Sequence, residues 1–251
     1  MEVLSTFNLS MWQWSWMIVC ALLVGFSKSG ISGFLIPVIP IVAAIFGAKL
    51  STGIILPVLI VGDVFAIYYY KQHADWNKIK KLLPWTLVGL ISGVIVGNYI
   101  NDTQFKIFIA ICVLVCLIIL IYTEKKGEKL NVPSSIWFYA LMGILSGFAS
   151  MIGNAAGALF NIYLLAMRFE KNDFIGTTAW FFFIVNISKV PLQILFWHNI
   201  SFDTIFLTTL MIPAVAAGAM LGVLVVKKIN EKYFRILINI MTVIGSIKLL
   251  I

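Results

Sequence analysis

The chain of 251 residues is 61% hydrophobic and only 11% charged, with a mean hydropathy of +1.03. A soluble domain of this length does not carry so little polar surface, and the apolar runs repeatedly reach the roughly 20 residues that one bilayer crossing needs, so the class is an all-α polytopic membrane protein. The formal net charge of +8 does not point to nucleic acid, because most Lys and Arg sit in short loops between apolar segments, where membrane topology accounts for them.

In chain order, the opening MEVLSTFNLSMWQWSWMIV has neither a basic leader nor a small-residue cleavage site, and so does not read as a removable signal peptide. Trp12, Trp14 and Trp16 read as an interfacial belt. Apolar segments follow at 12–46, 52–70, 82–100, 104–122, 134–167, 174–196, 204–226 and 233–251. The polar stretch TEKKGEKLNVPSS at 123–135 divides them four and four, which gives a first membrane repeat at 1–123, a cytoplasmic linker at 124–135 and a second repeat at 136–251. Cys20, Cys112 and Cys116 all fall in apolar segments, against a disulfide framework; Cys112 and Cys116 share a helix face and read as packing.

The halves resemble each other. GFSKSGISG from Gly25 matches GFASMIGNAAG from Gly147, the GxxxG at Gly93 and Gly97 matches that at Gly218 and Gly222, and YINDTQFKIFIAI at Tyr99 aligns with KKINEKYFRILINI at Lys228. Similarity at a spacing of about 122 to 129 residues indicates duplication. The first segment of each half, about 35 residues long, is interrupted by SKSGISG or ASMIGNAAG, so it is one crossing, a broken helix or a hairpin that returns to its starting side.

Charge separates these readings. With returning hairpins and the N-terminus outside, the basic loops at 71–81, 123–135, 168–173 and 227–235 all become cytoplasmic, and only Lys49, Lys106 and Lys248 stay outside. Single crossings would put 227–235 opposite to 71–81 and 123–135. The hairpin reading also gives an odd number of crossings per half, so the second half is inverted. Repeat-equivalent loops agree, since 71–81 carries four basic residues and its counterpart 197–203 carries none. The expected architecture is therefore two inverted four-segment repeats, each a broken or re-entrant helical hairpin followed by three transmembrane helices, as in secondary transporters with a midplane site.

Residues that could carry chemistry cluster at the breaks. Lys28 lies among Ser27, Ser29, Ser32, Gly25, Gly30 and Gly33. A lone cation at mid-bilayer costs roughly 2.5–3.5 kcal/mol and therefore needs a partner, a water-filled cavity or a ligand. Glycines admit close backbone approach, and half-helix ends with hydroxyls donate to anions, so this is an anion site or a snorkelling lysine beside a small-residue packing patch. Lys189, near Asn186, Ser188 and Pro191, is the other basic residue clearly within a span; it is a second cation for the same anion or the partner of Asp63. Asp63, the one carboxylate deep in a span, aligns with Asn186 and is either half of an ion pair with Lys28 or Lys189 or a proton carrier. In the second break, beside Gly153, Asn154 and Asn161 either bond a substrate or join the two breaks. Thr52, Thr177 and Thr178, with Gly53 and Gly176, either face the breaks or cap helices.

The duplicated GF-x-S-type breaks, the following LSTG and FIGTT segments and the later GxxxG helices resemble the sulfite exporter TauE/SafE family, also called the 4-toluene sulfonate uptake permease family. The glycine-rich G-x-G-G-G run typical of that family is degraded here to Gly30, Ser32 and Gly33 in one half and to Gly153, Asn154, Ala155, Ala156 and Gly157 in the other. The resemblance implies a transporter of sulfite, organosulfonates or related sulfur-containing or carboxylate anions in a bacterial plasma (inner) membrane. The expected function is alternating-access transport of such an anion, with Lys28, Ser27, Ser29, Gly30, Ser32, Gly33, Gly153, Asn154, Lys189 and Asn186 as substrate-binding residues. An anion channel or a carrier of a small carboxylate are the alternatives. An intramembrane enzyme is disfavoured: His73 and His198 fall in loops, one deep aspartate cannot form a dyad, and no HExxH occurs. No metal or cofactor is expected, and the partners are the small anion and the lipid bilayer.

Overall fold

The computed structural model describes residues 9–29, 32–35, 38–101, 103–105, 107, 135–154, 156–166, 170–228, 230, 233, 236 and 240. Among them every regular element is helical. The elements are α1 (Met11–Lys28), a 3₁₀ turn (Ser32–Leu35), α2 (Val38–Phe46), α3 (Ala48–Tyr70), a 3₁₀ turn (Lys71–His73) and α4 (Trp76–Tyr99). After these come α5 (Ile136–Gly153), α6 (Ala156–Ala166), α7 (Lys171–Leu192), a π turn (Gln193–Trp197) and α8 (Phe202–Lys228). Five helical stretches, Ala48–His73, Trp76–Tyr99, Ile136–Gly153, Asn172–Trp197 and Phe202–Val225, are long and apolar enough to cross a membrane. The spans expected at 104–122 and 233–251, with Cys112, Cys116 and most of the 124–135 linker, lie largely or wholly outside the described residues.

Local chemistry sets the ends. Ser10 and Gln13 form a capping box at the start of α1, and the Asp75 carboxylate opens α4 by accepting from the Asn77 and Lys78 amides at 3.0 and 3.1 Å. Both long first segments are interrupted where expected. α1 stops at Lys28, before the 3₁₀ turn, and α5 stops where Asn154 takes the left-handed conformation (φ 54°), one that asparagine tolerates better than most residues. The helix expected from residue 52 begins earlier, at Ala48, so Lys49 is a first-turn residue rather than a loop residue; its ammonium donates to the Gly97 carbonyl at 3.0 Å and lies over the Trp197 ring.

Helices from the two halves interleave. One apolar core joins α1, α2 and α3 to α8 through residues such as Met17, Val24, Val42, Ile54 and Val215. The other is built mainly from α5, α6 and α7 with α4, through Leu82, Leu90, Met151, Phe160 and Phe181. Each unit thus borrows its fourth helix from the other half of the sequence.

The borrowed helices dock by the same contacts twice. A Cβ on Gly25 or Gly147 would overlap the carbonyl oxygen of Val215 or Thr86, and a Cβ on Gly218 or Gly89 would overlap that of Leu22 or Ile144. Gly222 likewise lies against Phe26, and Gly93 against Phe148. Small residues here let backbones approach, the usual means of joining helices where lipid removes the hydrophobic drive. By their contacts Gly89 and Gly93 are placed like Gly218 and Gly222, whereas Gly97, matched to Gly222 in the sequence, faces the Trp197 ring.

Candidate functional site

α3 and α7 pack against each other between the two units, and the buried charges collect there. Lys28, the last residue of α1, meets the Asp63 carboxylate of α3, with its Nζ 2.7 Å from Oδ1. The side chain of Asp63 is wholly buried and that of Lys28 is 9% exposed, so the pair sits in a low-dielectric setting where unpaired charge is costly. The other Asp63 oxygen, Oδ2, accepts from Asn186 Nδ2 of α7 at 2.7 Å. Lys28 also stands over the Phe182 ring, 4.9 Å from its centroid. Gly62, one residue before Asp63, leaves room for the Lys28 stem; a Cβ there would come within 2.9 Å of Lys28 Cγ.

Lys189 has different partners. It is completely buried on α7 and donates to Asn154 Oδ1 and to Ser150 Oγ, at 3.4 Å for the latter. Of the two partners weighed for Asp63, the ion pair goes to Lys28, while Lys189 is held by a neutral amide and a hydroxyl. Asn154 Nδ2 reaches the Thr52 carbonyl at 3.4 Å, so this one side chain ties α7 and the second break to α3.

Lys28, Asn154, Ser150 and Asn186 border a small cavity. Its polar wall comprises Ser27, Lys28, Ser150, Asn154, Thr178 and Asn186, and its apolar wall includes Leu35, Leu59, Phe174, Ile175 and Phe182. Lys28 borders the space directly, whereas Lys189 touches it through Ser150 and Asn154. Few polar groups converging in a largely apolar recess is the usual composition of a small-ligand site.

Other predicted residues sit elsewhere. The Ser29 hydroxyl donates to Gly25 and Ala219 carbonyls at 3.1 and 2.8 Å, which places it on the α1–α8 contact rather than on the cavity. Gly153 is the buried last residue of α5. Ser32 and Gly33 lie on the 3₁₀ turn, but their side-chain surroundings, like Gly30 and the Asn161 side chain, are outside the described residues. Thr177 accepts from the Asp75 amide at 2.9 Å, and Thr52 accepts from Asn199 Nδ2 at 3.0 Å, so each fastens a turn that follows a long helix. Thr178 borders the cavity with its hydroxyl bonded to the Phe174 carbonyl at 2.6 Å.

Sequence reasoning did not single out Ser150. The signal was present, because the spacing that matches Gly25 to Gly147 also puts Ser150 opposite Lys28. The aromatic wall was not legible, since phenylalanines are spread through all the spans.

The fold and its buried charges define a helical integral membrane protein with a polar recess between two packing units. The family model for the sulfite exporter TauE/SafE family matches residues 17–249, nearly the whole chain, and the protein belongs to that family of membrane transporters. No curated protein and no solved structure matches the chain.

Proposed function

We propose that the protein is a secondary transporter of a small sulfur-containing anion, sulfite or an organosulfonate, which binds in the cavity between the two packing units and crosses by alternating access. The observation that carries this reading is the charge of the recess. Two lysines, Lys28 and Lys189, adjoin it, and Asp63 supplies the only carboxylate bonded to either among the described residues. An anion entering the recess meets a formal positive excess, along with hydroxyl and amide donors on Ser150, Asn154 and Asn186. Such groups match the oxygens of a sulfite or sulfonate.

The repeated glycine contacts support inverted repeats, because each half lends one helix to the other by the same set of close approaches. Two units joined along α3 and α7 can rock about that line and expose the recess alternately, as inverted-repeat carriers do. The distribution of positive loops supports an N-terminus on the outer side of the membrane, which we take to be a bacterial inner membrane.

The test is uptake of radiolabelled sulfite into proteoliposomes by the wild type and by Lys28→Gln, with methanesulfonate, sulfate and acetate as competitors. Saturable uptake lost in the variant supports the reading. Uptake equal to that of empty liposomes for every anion in the panel overturns it.

A further inference from the structure

We propose that Asp63 occupies the place of a transported anion on Lys28, and that a substrate anion takes that place only when Asp63 accepts a proton, so that one proton travels with each monovalent anion. This inference rests on the anion-carrier reading above and adds the coupling ion and the residue that holds it.

The geometry is that of an occupied anion site. Lys28 and Asn186 both line the cavity, and Lys28 Nζ and Asn186 Nδ2 each meet the same carboxylate, at 2.7 Å. A carboxylate and a sulfonate present the same chemistry to an ammonium and an amide: anionic oxygens that accept charge-assisted hydrogen bonds. Asp63 does not itself line the recess, and its wholly buried side chain meets these two donors. An incoming anion therefore competes with Asp63 for Lys28 and Asn186.

Charge bookkeeping decides the outcome. If an anion reached Lys28 while Asp63 stayed ionised, two negative groups would share one ammonium in a setting with little solvent, and like charges at such range cannot both persist cheaply. The other charged group bearing on Asp63 is Lys189, committed to Asn154 and Ser150. The remaining elements packed on α3 do not change this. α2 and α5 contain no Asp, Glu, Lys or Arg, and the other acidic, basic and histidine residues of these elements lie at helix ends: Asp203, Lys227 and Lys228 on α8, Lys171 and Asp173 at the start of α7, and Lys71 and His73 on the turn after α3. A proton on Asp63 ends the competition for the one ammonium: the carboxyl remains a partner for Asn186, and Lys28 is released to the substrate. Proton and monoanion arrive together and leave together, with no net charge moved. Neither can bind well without the other, which is the reciprocal linkage that coupling requires.

The experiment uses methanesulfonate, whose single charge does not change over the working pH range, so any pH dependence belongs to the protein. Binding and uptake by the full chain in proteoliposomes are measured across pH, with a pH-reporting dye inside the vesicles, for the wild type and for Asp63→Asn. The expected result is wild-type affinity that tightens as pH falls, by up to about tenfold per pH unit for one linked proton, with internal acidification on adding external methanesulfonate. In Asp63→Asn, whatever methanesulfonate flux remains should show neither the pH dependence nor the proton signal. If that variant does not fold, the wild-type affinity and dye signal decide. Saturable wild-type uptake without pH dependence or proton movement overturns the coupling and leaves an anion carrier. No saturable methanesulfonate uptake also overturns it, because the inference requires a monoanion on Lys28; sulfite uptake measured alongside then shows whether the carrier reading itself survives.

Discussion

Gly147 of α5 lies against Thr86 of α4 so closely that a Cβ would overlap the threonine carbonyl oxygen, and the backbone rather than a flexible side chain fills the space. Gly25 and Val215 repeat the relationship between α1 and α8. Backbone cannot rotate away, so Gly147→Ala or Gly25→Ala must separate two helices. Each substitution should lower stability by at least the roughly 1–3 kcal/mol of an overpacked core, seen as a reduced thermal midpoint in detergent. Gly157→Ala is the control, because its Cβ would meet nothing within 4 Å, and it should leave the midpoint unchanged or raised.

The buried Lys28 and Asp63 pair should show strong coupling in a double-mutant cycle. Lys28→Gln or Asp63→Asn alone leaves one charge without its partner and should cost about 3–5 kcal/mol, whereas the double variant should recover much of that loss. Additive losses in thermal or denaturant unfolding would show that the pair contributes nothing specific to stability.

Lys189 should separate stability from transport. Lys189→Met fills a similar volume and removes the need to bury a charge, so the thermal midpoint should hold or rise. Anion uptake should fall by about tenfold or more, the equivalent of one hydrogen bond to a charged group. Unchanged uptake kinetics would assign Lys189 to folding alone.

His73 and Asp173 form a 3.3 Å contact between the turn after α3 and the start of α7, but their side chains are 43% and 50% exposed. Solvent screens such a pair, so His73→Ala should change stability by no more than about 1 kcal/mol. A larger loss in unfolding measurements would give this turn a structural role beyond the ion contact.

Much was legible before the tertiary structure. Hydropathy located the spans that are described, because a bilayer demands long apolar helices with their backbone bonds satisfied internally. The interruptions after Lys28 and around Asn154 followed from glycine, serine and asparagine set inside apolar runs, and Lys28, Lys189 and Asp63 stood out because isolated charges are rare there. The resemblance between GFSKSGISG and GFASMIGNAAG also held an unused pointer to Ser150.

Pairing belonged to the tertiary structure. Nothing local distinguishes Lys28 from Lys189 as the partner of Asp63; the choice depends on how α1 and α7 approach α3, where Gly62 lies against Val24 and Lys28 and Gly176 against Tyr70 and His73. The same packing turned Ser29 toward Ala219 and away from the cavity, although it adjoins Lys28 in sequence. Residue type and burial are written along the chain, whereas the partner of a buried charge depends on which helices meet. In this protein that meeting crosses between the two halves.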